Sequence, residues 1–211
     1  MNKFYNALIF VIFMPTLMLA ILVGFDTPLA ILHTSGANLA YHKEILLLIG
    51  AFLLVINVRR SIRRWIAMRL VNQLPKFKWN TVVSRERVQR IYAYNFLEAV
   101  VFALAGTALF VLTEHAWLCL VGLVFGSLDA IVFAIYGGVT KKFRVGLTSK
   151  ALLAGDRNVS IIYFLGLRKV SVQQQTIFFD FKDELQHRFP LNLIPEDKHE
   201  EFFKELKECT D

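Results

Sequence analysis

Charged residues and cysteines are scarce in this chain, and it has no recognisable catalytic motif. Only 19% of the 211 residues are charged, against about 25% in soluble domains. The cysteines, Cys119 and Cys209, fall on opposite sides of the predicted membrane, which excludes a disulfide within one chain. No Ser-His-Asp grouping, metal motif or phosphate-binding loop is present, so we expect neither an enzyme nor a bound cofactor.

The chain is instead rich in long apolar runs. Hydrophobic residues make up 55% of the chain, and the mean hydropathy is +0.48. A helix needs about 20 apolar residues to cross a hydrocarbon core of roughly 30 Å. Four stretches are long enough, at 4–24, 39–58, 91–112 and 116–139, and none shows the polar stripe of a soluble core helix. The sequence predicts a membrane α-helical domain of four transmembrane helices over residues 1–139.

Positive charge is concentrated between the second and third spans. The net charge is +7, and the segment 59–90 holds ten basic residues and one acid, Glu86. Short loops rich in lysine and arginine stay in the cytoplasm. Lys3 near the N-terminus and the cluster at 141–144 fit the same orientation. We expect a multi-pass membrane protein with both termini cytoplasmic.

The basic segment 59–90 also has an amphipathic pattern. Apolar residues at helical spacing predict a helix that extends from the second span, lies against the membrane surface and ends before Pro75. Contact with anionic lipid headgroups is expected from Arg59, Arg60, Arg63, Arg64, Trp65, Lys76, Lys78 and Trp79. Nucleic-acid binding is the less favoured alternative, because these residues directly flank membrane spans.

Two ionisable residues interrupt the apolar spans. Glu98 in the third span and Asp129 in the fourth are both expected in the cytoplasmic half, and an ionisable group at this depth is costly enough to mark a candidate functional site. One hypothesis is a proton or cation relay between the two carboxyls. The other is that each carboxyl is buried, neutral or hydrogen-bonded, with Asn95, Ser127, a tyrosine or a partner protein as candidate partners. The sequence offers no obvious intramembrane base.

Small residues and histidines give two weaker signals. The pair Gly122 and Gly126 has the spacing that lets helix backbones approach closely, and we assign it to packing within the chain in preference to a homodimer seam. A metal or proton site at the predicted outer rim is a remote alternative, since its candidates match no metal motif. These candidates are His33, His42, Glu44, Glu114 and His115.

After Thr140 the continuous apolar pattern changes to alternation. Strands are predicted at 142–147, 151–154, 159–164, 167–172, 176–181 and 189–193. Pro195 opens a predicted helix, whose apolar face comprises Phe202, Phe203, Leu206 and Cys209. Residues 140–211 carry 12 basic and 11 acidic side chains, so this segment is near neutral. We predict a small α+β cytoplasmic domain over 140–211.

Strands followed by one amphipathic helix are the outline of a pleckstrin-homology-like (PH-like) barrel. The runs FRVGLTSKALL from Phe143, IIYFLGLRKV from Ile161, IFFDF from Ile177 and FPLNLIPED from Phe189 resemble the bacterial YcxB-like C-terminal domain. The resemblance covers about the last 70 residues. It implies a PH-like fold in a membrane protein, and hence the bacterial inner membrane as the location. It supplies no catalytic residues, and members often have fewer spans. A basic pocket for inositol phosphates is not expected, because Arg157, Arg168 and Lys169 are scattered.

These features leave three functions open. The preferred one is a non-enzymatic membrane scaffold, sensor or regulator whose PH-like domain binds a protein partner or another copy of the chain. The second is a small proton- or cation-conducting protein that uses Glu98 and Asp129, although no inverted repeat or broken helix indicates a transporter. The third is an immunity or defence component that binds a membrane-active effector.

Overall fold

The computed structural model describes residues 2–29, 33–157, 159–182 and 185–210. The chain divides into two compact units. The helical unit comprises Met1–Arg63 and Tyr94–Phe133, and the β-rich unit comprises Arg64–Ala93 and Ala134–Asp211. This division differs from the predicted boundary at 139/140, because the segment between the second and third apolar helices joins the β-rich unit. The Lys3 side chain, used above for orientation, lies outside what the structure describes.

Four helices are long and apolar enough to cross a membrane, as the sequence predicts. They are α1 (Asn2–Gly24), α2 (His42–Val71), α3 (Arg85–Leu112) and α4 (Trp117–Val139). A short hairpin of β1 (Pro28–Leu29) and β2 (Thr34–Ser35) lies between α1 and α2. Helix α2 continues well past residue 58 as one element, and a short 3-10 turn containing Pro75 follows it.

Close backbone contact joins α2 to α4 in the helical unit. A Cβ atom added to Gly50 would lie 2.7 Å from the backbone nitrogen of Cys119, and one added to Gly122 would lie 3.0 Å from that of Leu54. Only glycine permits such an approach. The glycine pair on α4 therefore packs within the chain, as expected, although its neighbour is α2 as well as α3.

Two antiparallel sheets form the β-rich unit. The first contains β3 (Trp79–Val82), β4 (Arg144–Leu147), β5 (Ala151–Gly155) and β6 (Val159–Tyr163) in that order. The second contains β7 (Leu167–Gln173), β8 (Thr176–Phe181) and β9 (Gln186–Pro190). Five of the predicted strands correspond to β4 to β8. The sixth prediction is shifted, because β9 ends at Pro190 and Leu191–Leu193 forms a 3-10 turn.

Strand β3 was not predicted. It comes from the basic segment and pairs with β4, with Trp79 opposite Leu147 and Val82 opposite Arg144. Arg87, close behind it, forms a salt bridge of 2.6 Å with Asp156. The segment between α2 and α3 is therefore part of a sheet.

Helix α5 (His199–Thr210) closes the β-rich unit. Phe202 is fully buried, with its ring centroid 5.2 Å from that of Trp79 and 6.4 Å from that of Phe189. Because those partners belong to different sheets, one aromatic side chain joins the two sheets to the helix. The predicted apolar face is confirmed for Phe202 and Leu206, which are both buried.

Candidate functional site

A buried polar cluster in the helical unit is centred on Arg60 of α2. Its guanidinium forms a salt bridge with Glu98 of α3, and the two side chains are 3% and 6% exposed. The guanidinium carbon of Arg60 also lies 5.8 Å from the ring centroid of Phe102. Since α2 is helical beyond residue 58, Arg60 lies on the helix and faces α3. The second predicted span ends at residue 58, so the sequence does not indicate Arg60 as a basic partner for the membrane acids.

Burial corrects three of the predicted lipid contacts. Arg60, Arg64 and Trp79 are only 3%, 5% and 6% exposed. Arg60 is enclosed with Glu98, and Trp79 packs on Phe202 inside the β-rich unit. Side chains covered by protein cannot present themselves to lipid headgroups.

The remaining predicted lipid contacts lie nearer the surface. Arg59, Arg63, Lys76 and Lys78 are exposed, so headgroup contact stays a prediction for these four. Trp65 is half-buried, and its ring centroid lies 5.4 Å from that of Tyr136 in the same unit.

Asp129 joins the same cluster from α4. It is half-buried, and its carboxylate accepts a hydrogen bond of 2.7 Å from the Ser61 hydroxyl. Ser61 follows Arg60 directly, so the two predicted acids have partners on the same turn of α2. Ser127, expected as a partner for an acid, donates instead to the backbone oxygen of Ala99 at 2.9 Å. Asn95 is fully buried on α3.

The neighbouring turn of α2 adds a buried amide to the cluster. The Asn57 side-chain nitrogen donates to the backbone oxygens of Leu53 and Gly122, both at 3.1 Å. Arg60 Nε and Nη1 have no acceptor among the described residues. The cluster therefore joins α2 to both α3 and α4 by polar contacts, at positions where a lone charge would be costly.

The rim candidates come together only in part. The rings of His42 and His115 lie 5.4 Å apart, and His42 Nδ1 is 2.7 Å from the Leu39 backbone oxygen. In the part of the chain that the structure describes, no group of three or more His, Cys, Asp or Glu residues is arranged to hold a metal ion.

A second candidate site is a groove beside strand β7 in the β-rich unit. It has a volume of about 340 Å³ and lies between β7 and α5. Its apolar lining includes Val170, Val172, Phe203 and Leu206. Among the residues that the structure describes, its charged lining is basic and consists of Arg168, Lys169 and Lys207. Within the described residues, β7 is an edge strand whose paired neighbour is β8.

No family model, curated protein or solved structure matches this chain. The sequence does not predict the groove, because Arg168 and Lys169 belong to a set of basic residues that is scattered along the chain. The fold brings them to the same groove as Lys207, although α5 is far from β7 along the chain. The sequence features that correspond to the groove are a basic pair on a strand and a lysine beside the apolar face of the last helix. Neither feature indicates a groove until the fold is known.

Proposed function

We propose that this protein is a non-enzymatic, multi-pass membrane scaffold or regulator whose β-rich unit binds a protein partner on the cytoplasmic side. Four long apolar helices support insertion into a membrane. The ten basic residues of 59–90 support a cytoplasmic position for the segment that joins α2 to α3, and hence for the β-rich unit. The observation that carries partner binding is the open edge of β7 beside a basic groove.

The β-rich unit is proposed to be PH-like. After α4, six antiparallel strands and one C-terminal helix follow one another, which fits the PH-like outline that the YcxB-like resemblance implies, and β3 adds a fourth strand to the first sheet. The contacts of Phe202 with Trp79 and Phe189 support this assignment, because they fix the last helix across both sheets.

The β7 edge supports binding by strand addition. An edge strand carries unpaired N–H and C=O groups, and an extended segment can pair with them while its side chains enter adjacent pockets. Val170, Val172 and Phe203 would receive apolar side chains. Arg168, Lys169 and Lys207 favour a segment rich in aspartate and glutamate.

The contacts of the two membrane acids favour structural roles over conduction. Glu98 is held in a buried salt bridge with the guanidinium of Arg60, which joins α3 to α2. Asp129 accepts its hydrogen bond from Ser61. Both carboxyls therefore contact α2, and these contacts hold α3 and α4 against that helix.

The partner-binding proposal is tested with a charge-reversed groove. Full-length chain carrying Lys169→Glu and Lys207→Glu is isolated from gently solubilised native membranes, and the associated polypeptides are quantified. We expect at least one polypeptide to fall about tenfold or more, because reversed charges in the groove repel an acidic segment. Lys182→Glu with Lys204→Glu is the matched control, since both of these lysines are exposed and lie outside the groove lining.

Two results would contradict the proposed function. One is a set of associated polypeptides that is the same for the groove variant, the control and the wild type. The other is proton or cation flux through vesicles reconstituted with wild-type chain that is abolished separately by Glu98→Gln and Asp129→Asn. The second result would favour the conducting hypothesis.

A further inference from the structure

A second groove lies in the helical unit, between α1 and α2. Its volume is about 380 Å³. Leu8 of α1 and Phe52, Val55 and Ile56 of α2 form an apolar part. Tyr5, Arg59 and Arg63 are the other described lining residues, and the charge of this described lining is positive.

The groove is polarised along the helix. Phe52, Val55, Arg59 and Arg63 recur every three or four residues, so they share one face of α2. At 1.5 Å per residue, this face runs about 16 Å from Phe52 to Arg63, which is close to half the thickness of a hydrocarbon core. Of this length, the apolar residues from Phe52 to Ile56 cover about 6 Å and the arginines from Arg59 to Arg63 about another 6 Å, so the face changes from apolar to cationic within about one leaflet.

The cationic end is partly fixed in position. Arg63 Nη1 donates a hydrogen bond of 3.1 Å to the Tyr5 hydroxyl, and Tyr5 itself is 8% exposed. Arg59 and Arg63 are exposed, whereas Arg60 and Arg64, one residue further along in each case, are buried. The helix thus separates two arginines that face the surroundings from two that face protein. Exposed guanidinium groups in a pair are suited to a phosphate, which they can bind through two parallel hydrogen bonds.

We propose that this groove binds one anionic phospholipid of the surrounding membrane. Its phosphate lies on Arg59 and Arg63, and an acyl chain lies along Leu8, Phe52 and Val55. A lipid with net negative charge is favoured over a zwitterionic one, because the described lining residues include two arginines and no acid that could receive a headgroup ammonium. The site rests on the membrane insertion proposed above and is independent of partner binding at β7.

The site is tested by lipid binding to the purified full-length chain in a neutral detergent. Retention of phosphatidylglycerol is measured by native mass spectrometry for the wild type, for Arg59→Gln with Arg63→Gln, and for Arg69→Gln with Arg85→Gln. The last pair removes the same charge from exposed positions outside the groove. We expect one tightly held lipid per chain in the wild type and the control, and about 30-fold weaker binding in the groove pair.

A third variant separates shape from charge. Val55→Trp fills the apolar part and leaves both arginines in place, and Val55 is 61% exposed, so the fold should tolerate the change. We expect it to reduce phosphatidylglycerol binding as the arginine pair does, while each variant keeps the unfolding temperature of the wild type within a few degrees.

Several outcomes would overturn the lipid site. If the groove pair and the control lost phosphatidylglycerol binding equally, the binding would reflect a general attraction of positive charge for anionic lipid. Equal binding of phosphatidylcholine would remove the charge selectivity, and displacement by millimolar inorganic phosphate would indicate a free-phosphate site. Release of the chain from membranes at alkaline pH would overturn insertion as well. A chain that stays embedded but binds lipid without Arg59 and Arg63 would overturn this site alone.

Discussion

Arg60 and Glu98 keep opposite charges together in a place where either charge alone would be costly. Both side chains are almost fully buried, and the ring of Phe102 lies beside the guanidinium. Two of the Arg60 nitrogens have no acceptor among the described residues, so the hydrogen bonding of the pair is incomplete. We therefore expect the pair to add little net stability compared with an apolar pair of similar size, and to be expensive to break.

Replacing one partner should be much more damaging than replacing both. Arg60→Met alone leaves a buried carboxylate, and Glu98→Leu alone leaves a buried guanidinium, so each should lower the free energy of unfolding by about 3–5 kcal/mol. The double variant should recover most of this loss. Denaturant unfolding in detergent measures the three values, with Arg69→Met as an exposed control. A double variant that loses the sum of the two single losses would show that the residues do not act as a pair.

At the scale of elements, α2 and β3 make contacts that their sequence patterns do not predict. Helix α2 carries Arg60 and Ser61 as the partners of both membrane acids, and Gly50 as a close contact to α4. Strand β3 belongs to a segment whose composition is typical of the membrane interface, yet it forms the edge of a sheet. The Lys198 ammonium, whose Nζ donates to Glu201 of α5 at 2.9 Å, keeps the pKa of that carboxyl below its ordinary value, and the side chain of Trp79, the first residue of β3, adds a smaller lowering.

Trp79 should behave as a core residue. Trp79→Ala removes the ring that packs on Phe202, and we expect a loss of about 3–5 kcal/mol in the stability of the β-rich unit. Trp117→Ala is the comparison, since Trp117 is 50% exposed and its loss should cost much less. Hydrogen exchange of β3, β4 and α5 reports the effect locally. Unchanged exchange in the Trp79 variant would mean that the residue is interfacial, as its sequence context first predicts.

At the scale of the whole molecule, the order of elements along the chain differs from their pairing. Strands β3 and β4 are direct neighbours in the sheet, yet α3 and α4 lie between them in the sequence. The β-rich unit is thus built from two separate segments, and the chain passes through two apolar helices between them. A fragment that begins at residue 140 would lack β3, and with it Trp79.

Cys209 gives a test of the proposed orientation. Cys119 is fully buried, whereas Cys209 is partly exposed, so a maleimide reagent should label Cys209 alone. Labelling should occur from the cytoplasmic face only, in inverted vesicles and not in intact cells.

The labelling of Cys209 should also depend on pH. Partial burial raises the pKa of the Cys209 thiol above its ordinary value, so little thiolate exists near pH 7. The labelling rate should therefore increase as the pH rises towards and past that pKa. Cys209→Ser provides the blank, and labelling of intact cells by an impermeant reagent would contradict the orientation.

The sequence by itself determined the four long apolar helices, five of the six predicted strands and the buried face of the last helix. These features follow from runs and periodicities within 5 to 30 neighbouring residues, and local hydrophobic patterning is what such periods report. It also identified Glu98 and Asp129 as unusual, because a charge in an apolar run is visible without any structure.

Only the tertiary structure decided which residues meet. Arg60 and Glu98 are 38 residues apart, Ser61 and Asp129 are 68 apart, and β3 pairs with a strand beyond two helices. Composition assigned Arg60 and Trp79 to the membrane surface, whereas packing buries them, because a long side chain on a helix or a strand takes its environment from the element opposite. The same reason explains why Arg168, Lys169 and Lys207 form one groove only after β7 and α5 come together.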